Sequence, residues 1–182
     1  MKIALAQINQ QVGNCKGNTQ KIISYIKKAK SQGADLVVFP ELAVTAYPPR
    51  DFLEFDTFIR QCKQAIDEIS AYCKGISAIV GAPHQNPKEQ GKKLYNAAYF
   101  IENQKVKQIV FKSLLPTYDI FDEYRYFEPN DHFNTISFKG KEIALTICED
   151  IWNIRTPYYT LDPMEQLSKN APDLIINIAA SP

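Results

Sequence analysis

Short apolar runs alternate along the chain with stretches of helical periodicity, and this alternation predicts an α/β fold. Residues 2–8 alternate polar and apolar positions as a half-buried strand does. Over 18–32, Ile22, Ile23, Ile26 and Ala29 recur on one helical face, opened by Asn18 or Thr19 and closed by Gly33. Leu36, Val37, Val38 and Phe39 form an unbroken apolar run, as expected of a strand covered on both faces. A second helix is predicted from about Asp56, with Phe58, Ile59, Cys62, Ala65, Ile66 and Ile69 at helical spacing, and a buried strand follows over 76–81. Strands 94–101 and 105–111 are joined at Asn103-Gln104, and strands 135–138 and 142–147 at Lys139-Gly140. Asp162-Pro163-Met164-Glu165 supplies a cap, a first-turn proline and an acid three residues after the cap, which starts a third helix. A last buried strand covers 174–178. Hairpins interrupt the strand–helix alternation, so mixed sheets are expected rather than one parallel sheet.

Length and composition narrow the class. At 182 residues and 45% hydrophobic, the chain suffices for one domain with a sizeable core, and no repeat or linker divides it. Lys plus Arg number 21 against 20 Asp plus Glu, a balance that speaks against binding nucleic acid or an anionic membrane. No apolar run approaches the roughly 18 residues of a membrane span. The N-terminus reads as a strand rather than a signal core, so a cytoplasmic location is expected. Cys15, Cys62, Cys73 and Cys148 include no C-x-x-C pair and have no neighbouring histidine, which argues against zinc. A disulfide scaffold is not expected at this size. Cys62 and Cys73 fall in a helical pattern and are expected to be buried thiols. The sequence stops at Ser181-Pro182, a loop start directly after a buried strand, so a domain incomplete at its C-terminus is expected.

Three apolar strands end in residues that could do chemistry, which is where α/β proteins build their sites. Glu41 follows 37–39, Lys112 follows 109–111, and Cys148 ends 143–147 with Glu149 and Asp150 behind it. A carboxyl at the mouth of a buried strand is desolvated, which suits it to proton transfer. Each has a plainer reading: a capping acid, a lysine where solvent begins, a small buried thiol. The order Glu, Lys, Cys, each at a strand end, goes beyond those readings.

That order resembles the nitrilase, or carbon–nitrogen hydrolase, superfamily. Three stretches are similar to the glutaminase domain of glutamine-dependent NAD synthetases: 34–42 continuing to Tyr47-Pro48-Pro49-Arg50-Asp51, then 112–127, then Cys148-Glu149-Asp150-Ile151-Trp152. Two positions depart from that pattern, Ala46 where a glycine is expected and Thr117 where an asparagine is usual. The resemblance implies an α-β-β-α sandwich, truncated here, that pairs with a second copy into a homo-oligomer. It implies Cys148 as nucleophile, Glu41 as general base and acid, Lys112 as oxyanion stabiliser, and Glu128 as a second glutamate positioning the lysine; an acid capping the turn before Pro129 is the equal alternative. It carries over Tyr118, Phe121, Glu123 and Glu149 as substrate residues, with Tyr47 and Ser181 at the rim. The implied substrate is L-glutamine, and the implied partner is an NAD synthetase domain absent from this chain. No cofactor is implied for the hydrolase itself, while ATP with Mg and deamido-NAD belong to that missing domain. Other readings are a stand-alone amidase acting on another small amide, and an inactive fragment that docks to partners. Neither His84 nor His132 is needed as a base, and Tyr124, Tyr126 and Phe127 are expected to pack in the core or an interface.

Overall fold

The computed structural model describes residues 1–154 and 159–180. Two sheets form the body. The first has five strands in sequence order: β1 (Ile3–Leu5), β2 (Leu36–Val38), β3 (Ser77–Gln85), β4 (Leu94–Glu102) and β5 (Lys105–Phe111). β1, β2 and β3 run parallel, and β4 and β5 continue antiparallel. The second sheet holds β6 (Ile136–Phe138), β7 (Lys141–Ile147) and β8 (Leu174–Ile178), with β6–β7 antiparallel and β7–β8 parallel. The expected mixed sheets are therefore present.

Helices α1 (Cys15–Ser31) and α2 (Asp56–Tyr72) cover one face of the first sheet. Ile22, Ile26, Cys62, Ile66 and Ile69 pack there on Val37, Ala78, Val80, Ala97 and Ile101. The opposite face meets the second sheet: Leu36, Val38, Ile79, Ala98 and Phe100 pack on Ile136, Phe138, Ile143, Leu145, Ile147, Ile176 and Ile178. Successive strand side chains point to opposite faces, so Val37 serves the helices while its neighbours serve the second sheet. A short third helix, α3 (Pro163–Ser168), is capped by Asp162, whose Oδ1 accepts from Met164 N at 2.9 Å.

Both expected hairpins turn where sequence placed them. Asn103 and Gln104 have φ of 50° and 63°, and Lys139 and Gly140 of 49° and 72°, the left-handed pair that fits the strand twist. The start of α1 differs from expectation. Asn14 caps it by accepting from Gly17 N at 2.9 Å, and Asn18 lies inside the helix. Asn18 is instead a buried tie, accepting from Gln11 N and donating to Val44 O, which explains a polar residue in so apolar a face.

Gly81 on β3 is required by close approach. A Cβ there would lie 2.4 Å from Leu42 N and 2.6 Å from Pro40 O, on the backbone of the Glu41 turn. Gly81→Ala is expected to cost about 3 kcal/mol in urea unfolding, at the upper end of the usual overpacking cost because backbone cannot rotate away. It should also slow any chemistry at Glu41; a variant of unchanged stability would refute the contact.

Candidate active site

The turn after β2 carries Glu41, and its backbone is tightly wound: Leu42 and Ala46 have φ of 47° and 59°. Those values favour glycine, which gives a physical reason for the glycine expected at position 46. Lys112 directly follows β5, its N–H donating to Asn96 O at 2.9 Å. Cys148 directly follows β7 with a φ of 49°, a left-handed conformation that turns the thiol out of the strand line. Glu41 and Lys112 thus come from the first sheet, and the Cys148 thiol from the second.

These three groups meet. Lys112 Nζ lies 2.8 Å from Glu41 Oε1 and 2.8 Å from Glu123 Oε1, with no exposure to solvent. The Cys148 thiol lies within the electrostatic reach of Glu41, and the residue is 9% exposed. Asn96 Nδ2 donates to Glu41 Oε1 at 2.8 Å, and Ala180 N donates to Glu41 Oε2 at 3.1 Å.

Glu123 plays a part different from the one expected. Its Oε1 accepts from Lys112 and, at 2.9 Å, from Tyr47 Oη, so it is the second glutamate on the lysine rather than a free pocket carboxylate. Glu128 does not reach Lys112. A 3-10 turn at Glu123–Arg125 directs Glu123 inward, and by Phe127 the chain bridges to Leu94. Glu128 then faces the 86–93 loop, accepting from Lys92 N at 2.7 Å.

Of the remaining expected site residues, Glu149 is buried, and its two oxygens accept from Tyr118 Oη at 3.0 Å and Tyr159 Oη at 2.6 Å. Phe121 stands between Tyr118 and Tyr47, with ring centroids 5.4 Å and 6.1 Å away. Ser181 lies outside the described residues. Phe127 is core, Tyr126 is half-buried against that core with its Oη donating to Asp51, and Tyr124 is exposed. His132 is exposed, and His84 is bonded to Tyr99 Oη at 2.9 Å.

Two residues of the site, Asn96 and Tyr159, escaped the sequence reading, and so did the role of Asp150. Asn96 left a signal, being the one amide in the otherwise apolar run of β4. Asp150 is buried, and its carboxylate accepts from Ser113 N, Leu114 N and Ile147 N at 2.9, 2.9 and 3.1 Å. It ties the segment after Lys112 to the turn that carries Cys148. Burial pushes its carboxyl up to about 6, against the pull of those N–H donors. Tyr159 left none, since its partner is set by tertiary folding.

The electrostatics follow from two carboxylates sharing one ammonium. Burial works against the Lys112 charge, but Glu41 and Glu123 outweigh it and hold the lysine protonated well above its usual range. Burial pushes Glu123 up to about 7; Lys112 opposes this and Glu41 adds to it. Burial and then Glu41 push the Cys148 thiol up to about 12, with Lys112 opposing. The resting thiol is therefore protonated at neutral pH and needs a base to become a nucleophile. Among the described residues no group of three or more His, Cys, Asp or Glu is arranged to hold a metal ion, and no helix is long and apolar enough to cross a membrane.

A mixed two-sheet α/β body with glutamate, lysine and cysteine brought together at its strand ends is the nitrilase type of fold. The chain belongs to the carbon-nitrogen hydrolase family, whose model matches residues 2–170. It is 38% identical to the glutamine-dependent NAD(+) synthetase of Synechocystis sp. over 188 residues, covering 99% of this chain and 34% of that protein. The solved glutamine-dependent NAD+ synthetase from Acinetobacter baumannii, in complex with ADP, matches with a TM-score of 0.88 at 34% identity, over 99% of this chain and 32% of its own. A nitrilase-superfamily amidase from Nesterenkonia AN1 shares the fold, with a TM-score of 0.83 at 19% identity, over 100% of this chain and 65% of its own. The chain spans about a third of the length of the NAD synthetases it matches.

Proposed function

We propose that this chain is the glutaminase part of a glutamine-dependent NAD synthetase, hydrolysing L-glutamine to glutamate and ammonia. What supports the reading is the buried Glu41–Lys112 ion pair, with Cys148 close enough to feel both charges, in a chain whose similarity to such synthetases runs over nearly its full length.

Glu41 takes the thiol proton as Cys148 Sγ bonds to the carboxamide carbon. The carbonyl electron pair moves to oxygen, where the Lys112 ammonium and the N–H of Glu149 stabilise it. Collapse breaks the C–N bond, Glu41 returns the proton to the leaving nitrogen, and ammonia departs from a thioester. Glu41 then takes a proton from water, whose oxygen attacks the thioester carbon. The thiolate leaves and regains the proton as glutamate is released. Glu149, held by two phenols, suits the cationic amino group of glutamine, and Phe121 with Tyr47 forms an apolar wall. Ammonia passes to a synthetase domain that converts deamido-NAD to NAD with ATP and Mg; none of the steps above involves those groups. A cytoplasmic homo-oligomer accompanies this reading.

The test is intact mass after exposure to a glutamine-shaped diazoketone, which alkylates a thiol with loss of N2. One adduct that disappears in Cys148→Ala, and is prevented by excess L-glutamine, is the expected result. Protection by propionamide but not by glutamine would assign the site to a simpler amide. A folded chain with no adduct at Cys148 would overturn the glutaminase reading.

A further inference from the structure

Asn96 has no task in the sheet that requires an amide. Its main chain serves the ladders on both sides, paired with Pro83 on β3 and accepting from Lys112 N. Its neighbours Ala97 and Ala98 show that small apolar side chains fill the same strand. The side chain is 1% exposed and donates through Nδ2 to Glu41 Oε1 at 2.8 Å, with Glu123 Oε2 at 3.5 Å. Its Oδ1 is buried without a partner. A buried carbonyl left unsatisfied is costly, so something must hold the amide in this orientation. The reversed amide would set a carbonyl oxygen against a carboxylate, and the two glutamates forbid it.

We propose that Asn96 is a positioning residue for the base: its amide pins Glu41 through Oε1 and leaves Oε2 as the oxygen that takes the Cys148 proton. Oε1 already accepts from both Lys112 and Asn96, which fills its two lone pairs. Oε2 accepts only from Ala180 N among the described residues and keeps one lone pair open. Without the Asn96 donor, Oε1 is held by Lys112 alone and Oε2 by the Ala180 N–H, so the carboxylate loses one of its three donors. The inference rests on the reading of Glu41 as the base.

The amide faces Glu41 from the turn after β2 and Glu123 from its 3-10 turn; these carboxyls are faced in turn by Lys112 from the end of β5, by Cys148 from the turn after β7, and by Tyr47. A donor to an anion favours the anion, so removing it makes the Glu41–Glu123 pair take up a proton at higher pH.

The experiment is a carbon-detected NMR titration of the chain labelled at glutamate side-chain carboxyls, with the buried pair assigned through Glu41→Gln and Glu123→Gln. In Asn96→Leu, close in volume but without donors, the titration of the pair should move up by about one pH unit. Where turnover is measurable, the acid limb of kcat should move with it, kcat should fall about tenfold, and KM should hold. Asn96→Asp keeps the shape should the leucine variant not fold. Its added carboxyl can donate only when protonated, so its rate relative to the parent should rise as pH falls, whereas that of Asn96→Leu should drop. A titration of the pair unmoved in a folded variant would overturn the proposal. If the pair moves while the glutamine-shaped diazoketone fails to label Cys148, the proposal stands and the substrate assignment falls.

Discussion

Glu41→Gln is expected to stop amide turnover while leaving Cys148 open to alkylation by a neutral reagent such as iodoacetamide. The two outcomes separate because they ask different things of the carboxylate. Turnover needs a proton carried from the thiol to the leaving nitrogen and then taken from water, and removing such a group costs about 10^2- to 10^4-fold. Alkylation needs only the thiolate. Glu41 is among the groups that push the thiol up to about 12, second to burial, while Lys112 pulls it down. Replacing the carboxylate by a neutral amide removes a negative charge and leaves the ammonium, so the thiolate forms at lower pH. The alkylation rate plotted against pH should therefore shift to lower pH in the variant, read by intact mass with Cys148→Ala as baseline. A curve that stays put, or moves to higher pH, would show that Glu41 does not act on the thiol.

Lys112→Met carries the largest expected cost in stability. The ammonium sits unexposed between two carboxyls, and breaking a buried ionic cluster by removing one partner costs about 3–5 kcal/mol at neutral pH. The dependence on pH follows from Glu123, which burial raises from 4.5 to about 7 even with the lysine present. A carboxyl raised in the folded state binds its proton more tightly there than in the unfolded chain. Such a group contributes stability below its unfolded value, and that contribution is lost as pH rises through the folded value. Removing Lys112 takes away the opposing charge and pushes the folded value higher still. Urea unfolding should thus show a deficit that is smaller near pH 5 and grows towards pH 8. A deficit independent of pH would mean that the lysine contributes packing rather than charge.

Sequence and structure agree where local chemistry decides the outcome. The apolar runs at 36–38 and 174–178 became strands, and the turns at Asn103-Gln104 and Lys139-Gly140 need only the residues they contain. Glu41 and Cys148 were legible because a polar group after a buried strand marks itself, whereas Lys112 follows a strand that is at most half-buried and stood out through the Glu, Lys, Cys order. Partner choice was not. Glu123 and Glu128 stand five residues apart in similar surroundings, and only the 3-10 turn between them decides which reaches the lysine. Asn14 and Asn18 are both plausible caps in sequence, and the contact of Asn18 with Val44 O selects between them. Asp150 satisfies amides from two distant segments, a role visible only once the strands are side by side.

The division of the reacting groups between two sheets has a further consequence. No short segment carries both Glu41 and Cys148, so their separation is inherited from the thickness of the apolar layer between the sheets. Phe100 and Phe138, whose ring centroids lie 5.6 Å apart edge to face, belong to that layer, and so does Cys148 itself. Because such interiors are close-packed and resist compression, this spacing is held within narrow tolerance. If Glu41 and Cys148 act as proposed, side chains of this layer influence the rate without touching a substrate. Under the proposed function, a substitution in this layer is therefore read in the rate as well as in stability.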